Sequence, residues 1–341
     1  MTALVLFGLL LSAVALADAR FLRPGDVENL PVWGVREGLR FAIWPAAVEG
    51  PGEGGPRGLI RVGYPARPEG TVMLVNFIAV EPIVEGQTWR SFSELEASGS
   101  DGEAGKLIEA GPPPGVEWAP SADEPVYPGR LEGLPGGHAR LSVRLRVERF
   151  ESGARVFLLA SVRTDRPDEL ELQAFTEEGS APLAACVLTA TMGNFARLRQ
   201  LHLRDRVVTA QELYPGFSGA DFAPHRRFRL AELPRATDGS VLVAATTDEA
   251  DPAAVQPHPE LPWFWHYGGR KLTQYWRKPA GTFGDALTAV VNARAEYWAS
   301  TWPIPGGVAF ENFELNEPFG AGQTSIFGLT TRTPEELLGS H

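Results

Sequence analysis

From Leu141 to Val147 apolar and polar residues alternate one for one, as Leu-Ser-Val-Arg-Leu-Arg-Val. In an extended chain this puts Leu141, Val143, Leu145 and Val147 on one face, toward a core, and Arg144 and Arg146 on the other. Apolar runs of strand length recur at Leu39–Trp44, Leu59–Val62, Val72–Val80, Ala139–Phe150, Arg155–Val162, Leu170–Phe175, Leu183–Met192, Val241–Thr246, Leu272–Lys278, Ala286–Asn292, Val308–Leu315 and Thr324–Leu329. Helical periodicity is rare. Phe195–Leu203 fits a short helix, and Thr333–Leu338 opens like one, with Pro334 in its first turn.

Glycine (37) and proline (29) punctuate these runs, which favours strands joined by turns over long helices. Glu49–Arg57, Gly111–Gly137 and Asp248–Pro262 read as loops, the second long enough for a functional loop or lid. None separates blocks of different composition, and no internal repeat is present. The pattern predicts an all-β fold with few short helices. Residues 20–341 are expected to form a single domain, a large antiparallel β-sandwich or its supersandwich variant.

Residues 1–19 change the cellular picture. Leu4 to Ala17 is apolar except for Gly8 and Ser12, falls short of the roughly 20 residues that span a bilayer, and ends in Ala17-Asp18-Ala19. A signal peptidase accepts that small-x-small ending, so a secreted or periplasmic protein is expected, with no membrane attachment after cleavage. The 31 Lys and Arg face 42 Asp and Glu, for a net charge of −11. Such a surface repels nucleic acid, and no nucleic-acid partner is expected. Cys186 is the sole cysteine, which excludes an intrachain disulfide, and its run Ala184-Ala-Cys-Val-Leu188 predicts a buried, inert thiol.

Several chemistries are absent. The chain has no Gly-x-Ser-x-Gly, His-Glu-x-x-His, Walker loop or Gly-x-Gly-x-x-Gly. Glu96–Leu107 has the length of a calcium loop, but Ser98, Ser100 and Leu107 stand where ligands are needed. No histidine pair has metal-ligand spacing on one element, so no metal site is assigned, and the sequence names no cofactor.

The end of the chain carries a resemblance. Gly306-Gly-Val-Ala-Phe-Glu311-Asn, followed by Phe319-Gly-Ala-Gly322-Gln323, resembles the closing strands of the galactose-mutarotase-like supersandwich proteins. The resemblance implies a supersandwich, a fold found also in polysaccharide lyases and other sugar-active proteins, and a base role for Glu311. The family's Asn-His signature has no counterpart in this chain.

The segment from Trp263 to Lys278 concentrates cations and aromatics in an otherwise acidic protein. With Gly268-Gly269 as a hairpin turn, Trp263, Trp265 and Tyr267 share a face of one strand. Lys271, Thr273, Tyr275 and Arg277 then share a face of the next. Cations beside Tyr275 lower its phenol pKa and pair with a uronic carboxylate, which suits β-elimination. This reading makes Tyr275 and His266 the acid and base, and Arg277 and Lys271 the carboxylate neutralisers. Trp263, Trp265, Tyr267, Trp276 and Arg270 supply stacking and binding. The alternative for the same residues is a cation–aromatic ladder that stiffens an exposed sheet.

A second constellation is made of carboxylates. In Phe92-Ser-Glu94-Leu-Glu96, alternation places Glu94 and Glu96 on one face with Phe92, and Glu311 falls in a row with Ala309, Phe313 and Leu315. A carboxylate in an apolar row needs a partner or a use for its raised pKa, and a glutamate pair across a cleft suits glycoside hydrolysis. The alternative is a set of structural ion pairs. Asn76 and Glu81, inside the run from Leu74 to Pro82, are further polar groups that must find partners. With 9 Trp and 6 Tyr, the expected partner is a polysaccharide or oligosaccharide, since flat aromatic faces stack on sugar rings. The leading expectation is a lyase on a uronate polysaccharide. Behind it stand a glycoside hydrolase or epimerase using Glu311, and a non-catalytic binding or envelope module.

Overall fold

The computed structural model describes residues 20–26, 31–43, 57–65, 72–122, 125–192, 195–256, 258–261, 268–298 and 300–339, with the backbone alone at 72–76. The described residues form two antiparallel sheets. One has nine strands in the order β1 (Phe21–Leu22), β2 (Val32–Val35), β3 (Arg40–Ile43), β4 (Leu59–Pro65), β5 (Val72–Val84), β11 (Leu183–Thr191), β18 (Ala309–Asn316), β17 (Thr288–Arg294) and β14 (Arg226–Arg229). The other runs β13 (Val207–Thr209), β12 (Leu198–His202), β15 (Val241–Thr247), β16 (Thr273–Lys278), β19 (Gln323–Thr330), β10 (Arg166–Thr176), β9 (Val156–Arg163), β8 (His138–Val147) and β6 (Ile108–Gly111). Its tenth strand, β7 (Arg130–Leu134), also pairs with β8. Two short helices, α1 (Ala210–Leu213) and α2 (Pro334–Leu338), complete an all-β sandwich.

The core lies between the sheets. Leu141, Val143, Leu145 and Val147 of β8 are all buried there with Ile60, Val80, Leu188, Phe313 and Phe327, as the alternation of β8 requires. Each such side chain contributes on the order of 1.5–3 kcal/mol by leaving water. Trp276 sits in the same core, and its indole Nε1 donates to the Phe313 carbonyl at 2.8 Å, tying one sheet to the other. Helix α2 begins where Thr333-Pro334 predicts it, with Thr333 and Glu336 in a reciprocal capping box.

Two sequence expectations need correction. Leu198–His202 is strand β12, not a helix, with β13 on one side and β15 on the other. Its register shifts between Leu198 and Gln200. That bulge lets Leu198 and Leu201 both reach the core, so their three-residue spacing imitates a helix. The stretch from Gly111 to Gly137 is not loop throughout, because β7 occupies Arg130–Leu134.

Candidate functional site

The nine-stranded sheet turns its other face to a cavity of about 520 Å³. Four neighbouring strands supply its floor: Phe77, Ala79 and Glu81 from β5, Thr189 and Thr191 from β11, Glu311, Asn312 and Glu314 from β18, and Asn292 from β17. Leu59 of β4 closes one end, and His225, just before β14, the other. Arg90, Phe92, Glu94 and Leu95 cover one side, and Phe222 and Trp298 stand opposite on loops. Leu95 and Phe222 are 55% and 43% exposed, so the mouth has an apolar rim.

A bulge in β18 builds the floor. Val291 pairs with Phe313 and Ala293 with Phe310, so Glu311 and Asn312 together oppose Asn292 alone. The Asn312 N–H, displaced from the ladder, donates to Asn292 Oδ1 at 2.9 Å. Phe310 and Phe313 consequently both point into the core, and Glu311, Asn312 and Glu314 line the cavity together. The strict alternation that put Glu311 in a row with Phe313 and Leu315 is therefore corrected: the extra residue moves Glu311 to the outer face.

The cover is attached to β5 by backbone bonds. Ser91 N–H donates to the Pro82 carbonyl and Ser93 N–H to that of Val80. The Ser93 hydroxyl accepts from Val80 N–H at 2.9 Å and donates to the Gly58 carbonyl at 2.6 Å. Gly58 is required here: its φ is +74°, and a Cβ would sit 1.8 Å from the Ser93 carbonyl oxygen. Ser93 to Leu95 form a turn rather than a strand. Glu94 faces the cavity, while Glu96 turns away to accept from the Glu151 N–H at 2.9 Å, with Lys106 Nζ 3.4 Å off. The expectation that Glu94 and Glu96 share a face fails because turn residues do not alternate.

Charge in the cavity is unevenly compensated. Arg90 donates one nitrogen to Glu81 at 2.7 Å and to Glu314 at 2.8 Å, and its other to Glu314 at 2.6 Å. The Thr189 hydroxyl adds a 2.6 Å bond to Glu314. Burial opposes the Arg90 charge, but the two carboxylates outweigh it and raise its pKa. Burial, reinforced by Glu314 and Glu94 and resisted by Arg90, pushes Glu81 up to about 8.

Among the described residues Glu94 and Glu311 hold no such cation. Burial pushes Glu94 up to about 7, against hydrogen bonds from its own backbone and Ser93. Its Oε2 is sealed from solvent and has no hydrogen-bond partner among the described residues. Burial likewise takes Glu311 to about 7, resisted only by the field of Arg294. Arg294 itself spends its N–H groups on the carbonyls of Glu296, Ala220 and Tyr297. Burial pushes His225 down, against the field of Glu314 and with Arg90 and Arg227 adding to the effect, so its imidazole favours the neutral form. Two carboxyl groups that exchange protons near neutral pH thus face one aromatic-walled cavity, which is the equipment of general acid–base catalysis.

Tyr275 and Arg277 of the cation–aromatic segment lie on the opposite outer face of the sandwich. Tyr275 packs with Leu242, Ala244, Leu337 and Leu338 beneath α2. Its ring covers Gly328 of β19, where a Cβ would come within 2.0 Å of Cζ. Its hydroxyl donates to Glu169 at 3.2 Å. Burial and Glu169 raise the phenol pKa well above its usual value, overriding Arg277. The expected lowering by flanking cations is therefore corrected. Arg277 is itself bound by Glu169 at 2.5 Å, with Asp238 at 3.6 Å.

Lys271 is exposed ahead of β16 and does not join the buried row of Thr273, Tyr275 and Arg277. Trp276, in the core, offers no stacking surface. Arg270 donates to the Pro65 carbonyl. Tyr275 and Arg277 do edge a smaller cavity of about 340 Å³ with Asp168, Glu169, Asp238 and Arg332. Trp263, Trp265, His266 and Tyr267 lie outside the described residues, as does the expected signal at 1–19.

Arg90, His225, Asn292, Trp298 and Phe222 are cavity residues that reading the sequence did not single out. One signal for them was present: Phe310 and Phe313, three apart in a strand, announce the bulge that exposes Glu311. Glu81, expected to need a partner, finds Arg90. No family model matches the chain, and no curated protein matches it.

Proposed function

We propose that the chain is a carbohydrate-active enzyme that cleaves a glycosidic bond in the cavity on the nine-stranded sheet. The observation that carries this is the pair Glu94 and Glu311. Both line one aromatic-walled cavity, both titrate near about 7, and neither has a cationic ion-pair partner among the described residues. Glu94, with one oxygen sealed and unpartnered, favours the protonated form and serves as the acid. It gives its proton to the departing glycosidic oxygen as the C–O bond breaks. Glu311, which must be ionised to act, supports the positive charge on the anomeric carbon until water adds there and gives up its proton to Glu94. Trp298 and Phe222 offer flat faces to the sugar ring.

The resemblance of the closing strands to galactose-mutarotase-like proteins points to the same Glu311. An exported enzyme, as Leu4–Ala19 leads one to expect, would meet polysaccharide outside the cell. A uronate lyase is less well supported at this site, because Arg90, the only Arg or Lys among the described residues that line the cavity, already serves two carboxylates.

A panel of oligosaccharides assayed for new reducing ends tests the proposal. Release with wild type that falls by roughly 10²–10⁴-fold in Glu311→Gln supports it. Anomer interconversion without new reducing ends transfers Glu311 to the mutarotase reaction. An ultraviolet-absorbing unsaturated uronate establishes the lyase instead, and binding without turnover leaves a carbohydrate-binding module.

A further inference from the structure

The cavity floor changes character from one end to the other, which the acid–base reading does not require. Across it the strands run β4, β5, β11, β18, β17. On β4 and β5, Leu59 pairs directly with Ala79, and Phe77 lies two residues away on the same face. These three form an apolar cluster of their own, apart from the core between the sheets. On β18 and β17 the cavity instead meets Glu311, Asn312 and Asn292. Two strand spacings, roughly 10 Å, separate β5 from β18. The two catalytic carboxyl groups divide in the same way. Glu311 belongs to β18, whereas Glu94 belongs to the cover over the apolar end. Ser93 N–H bonds the carbonyl of Val80, next to Ala79. A Cβ on Gly58, next to Leu59, would come within 3.0 Å of the Glu94 nitrogen. Leu95 follows, at 55% the most exposed large hydrophobic side chain among the described residues.

We propose that the leaving-group end of the cavity takes an apolar aglycone, an alkyl or aryl group, in preference to a second sugar. The proposal rests on the glycosidic cleavage inferred above and names the leaving group of the same site. In that cleavage Glu311 supports the anomeric carbon and Glu94 meets the glycosidic oxygen. The direction from sugar to leaving group therefore runs from β18 toward β5 and β4. The sugar ring lies at the end with Asn292 and Asn312, whose amides suit its hydroxyls. Phe222 stands at that end too, its ring 4.6 Å from the Arg294 guanidinium. The leaving group falls against Leu59, Phe77, Ala79 and Leu95.

A second sugar placed there would lose water from its hydroxyls and find few partners, since Glu81 and Arg90 are bonded to each other and Arg90 also to Glu314. An alkyl chain or aromatic ring loses nothing of that kind and gains by leaving water. The reaction balances as a hydrolysis. The anomeric C–O bond breaks as the Glu94 proton passes to the aglycone oxygen. Water then adds to the anomeric carbon and returns a proton to Glu94, leaving one free sugar and one alcohol or phenol.

The experiment measures kcat/KM for methyl, butyl and hexyl glycosides of the common hexoses and pentoses. Each set is run beside the disaccharide with the same non-reducing sugar and the same anomeric configuration. Alkyl and sugar oxygens both need a proton to depart, and the alkoxide is the poorer leaving group, so chemistry alone favours the disaccharide. Expected is a rise along the alkyl series of up to about fourfold per methylene, taking the hexyl glycoside about tenfold or more above the disaccharide. Leu95→Asn, at an exposed position, should flatten the series with thermal stability unchanged, and Leu95→Met should restore it. A flat series, or a disaccharide cleaved as well as the hexyl glycoside, overturns the apolar assignment and leaves the cleavage reading in place. A series equally steep in Leu95→Asn also overturns the seat assigned to the aglycone. No turnover of any glycoside or disaccharide overturns both readings.

Discussion

Glu94 and Glu311 carry the same side chain and the same direction of shift, yet their surroundings give them different work. Glu94 has a sealed oxygen with no hydrogen-bond partner among the described residues, which penalises charge, whereas Glu311 feels the field of Arg294. Glu94→Gln should therefore lower turnover of glycosides with alkyl leaving groups by roughly 10²–10⁴-fold, and much less for a nitrophenyl leaving group that departs without a proton. Glu311→Gln should lower both alike. Equal losses for the two substrates in Glu94→Gln would remove it as the acid. The pH profile follows from the same assignment. Activity needs Glu311 ionised and Glu94 protonated, and both titrate near about 7, so a narrow bell near neutrality is expected. With a nitrophenyl substrate, Glu94→Gln should lose the alkaline limb and keep the acid one.

Two of the register irregularities change how the sequence reads. The bulge in β12 gives Leu198 and Leu201 a helical spacing, and the bulge in β18 does the same for Phe310 and Phe313. Each of the twelve apolar runs contains a strand among the described residues, because burial of alternate side chains is a local property. The site was less legible. Glu311 was visible as a carboxylate among hydrophobes, but its face depends on one inserted residue, and Glu94 was assigned to a strand where the chain turns. Arg90, His225 and Trp298 come from segments far apart in sequence, and no local pattern brings them together. The bulge is held by the Asn312 N–H bond to Asn292 Oδ1 and by the Met192 N–H bond to the Glu311 carbonyl. Asn292→Ala should cost about 1–2 kcal/mol in thermal denaturation and lower kcat more than it raises KM, because Glu311 loses its anchored position. Gly58→Ala acts on the cover instead. It forces Ser93 away from the chain at Gly58, so a loss above about 1 kcal/mol is expected, with substrate binding weakened. A fully active, equally stable Gly58→Ala would mean that the cover does not depend on this contact.

At the scale of the molecule, the two constellations visible in the sequence are separated by both sheets. Tyr275 and Arg277 lie on the outer face of one, Glu94 and Glu311 over the outer face of the other. Local patterning could not show this, since it identifies strands without saying which outer face each presents. The separation predicts that Tyr275→Phe leaves turnover unchanged and costs no more than about 0.5–1.5 kcal/mol through the lost bond to Glu169. Combined with Glu311→Gln, its stability effect should simply add. The buried glutamates also set how the whole fold responds to pH. Glu311 holds its proton to about 7 when folded but only to its ordinary 4.5 when unfolded. The folded state therefore binds the extra proton, and stability is full below the unfolded value and falls as pH rises through the folded one. Each unit of that window is worth about 1.4 kcal/mol before solvent screening reduces it. Glu311→Gln keeps the shape of the protonated group and cannot ionise. Its Tm should equal that of wild type near pH 4, then exceed it by a margin that widens to about pH 7 and stays constant above. The subtraction cancels His225, Lys278 and every other group that titrates in both proteins. A margin that is flat from pH 4 to 8, or that narrows, would show that burial does not raise the Glu311 pKa and would take from it the acid limb of the pH profile.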